Sequence, residues 1–97
     1  MQRHDVIDLI SSQRQSLYSM FGVRHLSLFG SVARNEAREN SDVDVLVEFE
    51  GEPGFDRFME FKFFLEDLLK TRVDLVTANA LKSKMRPLIE KESVRVA

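Results

Sequence analysis

Three aspartates and one glycine-serine turn carry the chemistry that this sequence could perform. Asp42 and Asp44 stand two apart at the start of the Val-rich run Val43, Val45, Val47, and a strand's period of two puts both carboxylates on one sheet face. Asp74 interrupts a second apolar run, Val73 to Thr77, and neighbouring strands would bring it to the same end of the sheet. At an effective dielectric of about 20, two unit charges ~4 Å apart repel by roughly 4 kcal/mol, so three such acids call for a cation. Mg²⁺ fits this inventory better than calcium, because it takes a few carboxylates and completes its shell with waters and phosphate oxygens.

Upstream, Leu28-Phe29-Gly30-Ser31-Val32-Ala33-Arg34 is an apolar run that stops at Gly-Ser and reopens as a helix. Gly30 lets the backbone approach a phosphate, and Ser31 can offer its hydroxyl and N–H to the same group. A metal-bridged triphosphate held between this turn and the acids could undergo in-line displacement at phosphorus, with Asp74 placed as the base. Arg34 follows one turn later, where pairing with phosphate oxygens and simple solvation both stay open. Glu48 competes for the third-acid role, but it lies four strand residues from Asp44, or about 13 Å at the usual rise. His4 and His25 lack ligand-spaced companions and read as surface or strand-edge residues.

The elements that must position these groups alternate in type. One amphipathic helix is expected from about His4 to Phe21, on Val6, Ile7, Leu9, Ile10, Leu17, Met20 and Phe21, with Gly22 as a left-handed cap. A strand from Arg24 to Phe29 follows, then a helix from Val32 to about Arg38 with Ser31 near its N-cap, and a strand from Val43 to Phe49. Gly51-Glu52-Pro53-Gly54 breaks the chain before a helix capped by Asp56 and running to about Lys70. Val73 to Thr77 gives a third strand, Ala78 to Met85 is weakly helical, Pro87 opens a last helix to about Glu92, and Ser93 to Ala97 adds an edge strand. Five phenylalanines between Phe55 and Phe64 exceed what one helix face can bury, which leaves some for a partner surface.

The 97 residues read as one α/β domain, 1–97, burying roughly 65% of the unfolded surface, with no room for a second catalytic lobe. A net charge of -2 makes nucleic acid an unlikely main partner, and the absence of cysteine removes disulfides, thiolate metal sites and cysteine nucleophiles. There is no apolar run of signal or membrane-span length, so no membrane partner is expected and a cytoplasmic location is the default.

Phe29-Gly30-Ser31, the spacer Val32 to Ser41, Asp42-Val43-Asp44 and Asp74 together resemble the pattern of the nucleotidyltransferase superfamily that includes DNA polymerase beta. More narrowly, Gly30 to Arg34 with Ser41 to Val47 is similar to the minimal nucleotidyltransferase (MNT) antitoxins. That resemblance implies a mixed sheet flanked by helices, dependence on Mg²⁺ and ATP, and a HEPN-domain ribonuclease toxin as partner, silenced by AMP transfer to a tyrosine hydroxyl. By the same resemblance Gly30 and Ser31 bind the nucleotide, and Asp42, Asp44 and Asp74 hold metal and perform catalysis; Arg34 joins the nucleotide-binding candidates by its position alone. Two rivals remain at this level: a non-catalytic antitoxin acting by occlusion, and transfer to a small molecule or RNA end.

Overall fold

The computed structural model describes residues 2–38, 41–80 and 86–96. Four strands form one sheet in the order β3-β2-β1-β4. They are β1 (Val23–Phe29), β2 (Val43–Phe49), β3 (Val73–Thr77) and β4 (Val94–Arg95). β1 pairs antiparallel with both β2 and β4, whereas β2 and β3 run parallel. A parallel pair needs a long crossover, and the helix α4 (Gly54–Leu69) supplies it. The sheet is therefore mixed and helix-flanked, the α/β arrangement that the sequence led us to expect.

The buried residues alternate along the strands. Leu26, Leu28, Val43, Val45, Val47, Val73 and Leu75 form one face of the core. Against them pack Val6 and Ile10 of α1 (Arg3–Ser11), Leu17 and Phe21 of α2 (Arg14–Phe21), and Phe61, Leu65 and Leu69 of α4. Phe61 sits between Phe21 and Phe49, with ring centroids 5.2 and 5.7 Å away. At roughly 1.5–3 kcal/mol per large apolar side chain, this layer supplies most of the driving force for folding. The opposite sheet face carries the partly buried or exposed Asp44, Leu46, Glu48, Asp74 and Val76.

Several element boundaries differ from expectation. The first helix is two helices, because Ser12 Oγ donates to the Leu9 carbonyl at 2.6 Å and Gln13 N–H to the Ile10 carbonyl at 2.9 Å, closing a turn. Gly22 ends α2 in the left-handed conformation as expected, but Met20 faces outward. The helix expected to reach Arg38 is only α3, Gly30–Ala33. Asn35 turns left-handed at φ 58°, with Glu36 N–H bonded to Ser31 O and Asn35 N–H to Val32 O, which is the closing pattern of a Schellman cap.

The long helix begins at Gly54 with Pro53 as its N-cap, so Asp56 lies in the first turn instead of capping it. Phe61 is fully buried and Phe58 and Phe64 partly so, while Phe55 and Phe63 stay outside at 76% and 56% exposure. The weakly helical stretch is a 3-10 turn over Ala78–Ala80, and residues 81–85 of that expectation lie outside the described residues. The last helix, α5, spans Arg86–Glu92. Edge strand β4 is shorter than Ser93 to Ala97, and residue 97 is likewise not described. No helix among the described residues is long and apolar enough to cross a membrane.

Candidate active site

The site is built where β1 ends and β2 and β3 begin. Phe29 is the register partner of Asp44, and Asp44 is the register partner of Asp74, so three adjacent strands deliver Gly30, Asp44 and Asp74 to one sheet edge. Chain direction requires this: β1 must finish beside the start of β2 because they are antiparallel, and β3 starts there because it is parallel to β2.

Gly30 has φ +69°, a left-handed conformation that side chains resist. A Cβ at this position would collide with the Asp44 carboxylate, reaching within 3.0 Å of Cγ as well as overlapping Oδ2. The glycine thus does two things: it turns the chain from β1 into α3 and lets the Asp44 carboxylate lie against the backbone of the turn. Ser31 follows in the first turn of α3.

Asp44 is half-buried, and its carboxyl is pushed up to about 6. Burial is the largest cause, followed by the charges of Asp74 and Asp42 and a hydrogen bond shared with Asp74; Arg34 opposes them weakly. Sharing a proton is how two adjacent carboxylates relieve repulsion when no cation is between them. The sign for stability follows. Because the folded-state value lies above the ordinary 3.8, the Asp44 contribution is fully present below about pH 4 and lost as pH rises through about 6. Allowing for solvent screening of a half-exposed group, wild type should lose on the order of 1 kcal/mol over that window relative to Asp44→Asn. Urea unfolding of both proteins in chelator at pH 4 and pH 7 measures this; parallel pH profiles would refute it.

Asp42 lies just before β2 and is drawn aside: its Oδ1 accepts from Arg72 Nε at 3.2 Å. Among the described residues, no three acid or imidazole side chains converge as a finished metal cage would require. The structure brings Asp44 and Asp74 together directly, with Asp42 beside them on an arginine leash. Arg34, one turn beyond Gly30, is engaged by Glu36 at 3.2 Å and Glu92 at 3.0 Å, and these carboxylates raise its pKa further.

Arg72, Glu92 and Glu66 were not singled out by sequence. Arg72 precedes Asp74 by two residues as Asp42 precedes Asp44, so parallel pairing of the two strands could have found it. Glu66 Oε2 accepts from the Val73 N–H at 3.0 Å, fixing the backbone next to Asp74. Glu66 is visible in sequence only as a polar position on α4.

Residues 10–96 match the model of the nucleotidyltransferase domain. The chain belongs to that family. Among relatives, a protein adenylyltransferase MntA of Thermococcus cleftensis is 41% identical over 92 residues, which cover 95% of this chain and 93% of the relative. A solved structure of a candidate minimal nucleotidyltransferase superposes with TM-score 0.82 at 35% identity, covering 97% of this chain and 95% of that one. A toxin-antitoxin complex solved with AMP-PNP shares the fold at TM-score 0.74 and 19% identity, over 90% of this chain and 72% of that one. This nucleotidyltransferase therefore has the polymerase-beta-like fold that the family resemblance implied, over nearly its whole length. In it Gly30, Ser31, Asp44 and Asp74 occupy one edge, with Asp42 and Arg34 on its rim.

Proposed function

We propose that residues 1–97 act as one unit, a Mg²⁺-dependent adenylyltransferase that transfers AMP from ATP to a tyrosine hydroxyl of a HEPN ribonuclease toxin, and so serve as its antitoxin. The observation that carries the reading is the Asp44–Asp74 pair, with the Asp44 carboxylate lying against Gly30 where any other residue's Cβ would stand. Its support from relatives is the protein adenylyltransferase at 41% identity.

The residues fit a divalent cation. Two adjacent carboxylates, Asp74 raising the cost of ionising Asp44, with a third within electrostatic reach, are a hard oxygen donor set. Asp42, Asp44 and Asp74 would hold it, Asp42 leaving Arg72 to do so. When bound, the ion supplies Lewis-acid neutralisation of charge on the phosphoryl oxygens.

The chain's own groups do the rest. Gly30 and Ser31 take the triphosphate through backbone N–H and hydroxyl, and Arg34 neutralises phosphate oxygens. Asp74, exposed beside the half-buried Asp44, accepts the acceptor hydroxyl's proton as its oxygen bonds to the α-phosphorus. The bond from that phosphorus to the pyrophosphate oxygen breaks, and pyrophosphate leaves. The exposed Phe55 and Phe63 of α4 offer apolar contact area for the protein acceptor.

Incubating the chain with a HEPN partner, Mg²⁺ and ATP labelled at either the α- or the γ-phosphate tests this. Label should pass to the partner from the α-position and not from the γ-position. Transfer from γ would make the protein a kinase, and transfer from neither, with the toxin still silenced, would make it an occluding binder.

A further inference from the structure

Glu92, the last residue of α5, directs its carboxylate away from its own helix. Its Oε2 accepts from Arg34 Nη1 at 3.0 Å, across 58 positions of sequence. Glu36 also holds Arg34, through Nε at 3.2 Å, but Glu36 is two residues away and its side chain is 65% exposed against 27% for Glu92. A neighbour that moves with the same turn cannot fix an arginine relative to the fold; a residue on another element can. Ion pairs that are partly shielded are also less screened by salt.

What fixes Glu92 is the ladder that follows it. Val94 pairs with Leu28 and Arg95 with Ser27, and the Val96 N–H donates to the Leu26 carbonyl at 2.8 Å. Gly30 lies two residues beyond Leu28, and Glu92 lies two before Val94, so the antiparallel count carries both to the same end of the sheet. The Arg34 backbone is secured separately: Arg3 Nη1 donates to the Ala33 carbonyl at 3.0 Å, and the Arg3 N–H to Asn35 Oδ1 at 3.3 Å. Backbone is tied to α1 and side chain to α5. A guanidinium has five N–H donors in a rigid plane, so the contacts at Nε and Nη1 leave others free for phosphate.

We propose that Glu92 is a positioning residue of the nucleotide site, holding the Arg34 guanidinium in place before the triphosphate arrives. The inference rests on the reading above in which Arg34 meets the triphosphate. It makes the C-terminal α5–β4 segment part of the substrate site, although that segment contributes no group that touches the reacting atoms. An arginine ordered in advance loses less rotamer freedom on binding, so the effect belongs to nucleotide affinity and not to the chemical step.

Calorimetric titration with Mg²⁺ and AMP-PNP tests it, using wild type, Glu92→Gln, Arg34→Gln and the double variant, with thermal melts of each. Glu92→Gln should raise Kd roughly tenfold, about the size of one charge-assisted hydrogen bond, and raise KM for ATP while leaving kcat nearly unchanged. In the Arg34→Gln background it should add nothing further, and Glu92→Asp should recover part of the loss. Wild-type affinity in Glu92→Gln, or the same loss with Arg34 already removed, would overturn the proposal by reducing Glu92 to a structural role. Should Glu92→Gln fail to fold, Glu92→Asp carries the comparison, and wild-type affinity there together with additivity to Arg34→Gln would count equally against it. If wild type itself does not bind AMP-PNP, the nucleotidyltransfer reading falls and takes this one with it, which separates the two failures.

Discussion

Wild type with Mg²⁺ and ATP is expected to add roughly 329 Da per event, AMP less water, to a HEPN partner by metal-assisted displacement, and the double replacement Asp42→Asn/Asp44→Asn should abolish that gain. Asparagine keeps the size of each side chain and removes the charge that a cation requires. Loss of a Lewis acid worth several kcal/mol, at about 1.4 kcal/mol per decade, corresponds to a rate drop of about 10²-fold or more. Mg²⁺-ATP should raise the melting temperature of wild type and leave that of the same variant unchanged, since a ligand stabilises only the state that binds it. Without ligand the variant should be at least as stable as wild type at pH 7, because the crowding that pushes Asp44 up to about 6 is gone. Intact-mass spectrometry of the co-expressed partner, paired with thermal melts, reads both effects. Full neutralisation of the toxin by this variant, with no adduct in either case, would sink catalysis and leave a binding antitoxin.

The second large effect concerns a residue that holds no charge. Gly30→Ala places a methyl group into the Asp44 carboxylate and forces an L side chain to φ +69°. The left-handed conformation alone costs roughly 1–2 kcal/mol, and for a domain of this size each 1 kcal/mol lowers Tm by about 4–8 °C. Asp44 must also swing away, and displacement of about 1 Å in a catalytic group can cost on the order of 10²-fold in rate. Activity should therefore fall far more than stability does. A companion Gly51→Ala separates the two: Gly51 has φ +75° but open space around it, so it should show a comparable Tm loss and keep adenylyl transfer. Equal activity losses in both would assign the Gly30 effect to backbone strain instead of to the clash with Asp44.

Local sequence determined where the central strands run. Alternation of Val43, Val45 and Val47 around Asp44, and of Val73 and Leu75 around Asp74, is a short-range pattern, and each strand formed where that pattern placed it. The family was legible for the same reason, since Gly30-Ser31 and Asp42-x-Asp44 are patterns of residue type and spacing, and the family match extends over residues 10–96. The break between α1 and α2 was not legible. Val6, Ile10, Leu17 and Phe21 keep a helical phase across it, and the turn between them is closed by the Ser12 hydroxyl and the Gln13 N–H.

Tertiary structure alone decided how the charged groups pair. Which acid meets another acid and which meets an arginine depends on strand order and register: Asp44 is paired in register with Asp74, while Asp42, two residues away, goes to Arg72. Glu92 reaches Arg34 only because β4 returns to pair with β1. Apolar burial is encoded residue by residue, because any buried neighbour satisfies it. Ion pairs and shared protons need one particular partner at hydrogen-bond range, and distances of that kind between residues 30 to 58 positions apart exist only once the sheet has closed.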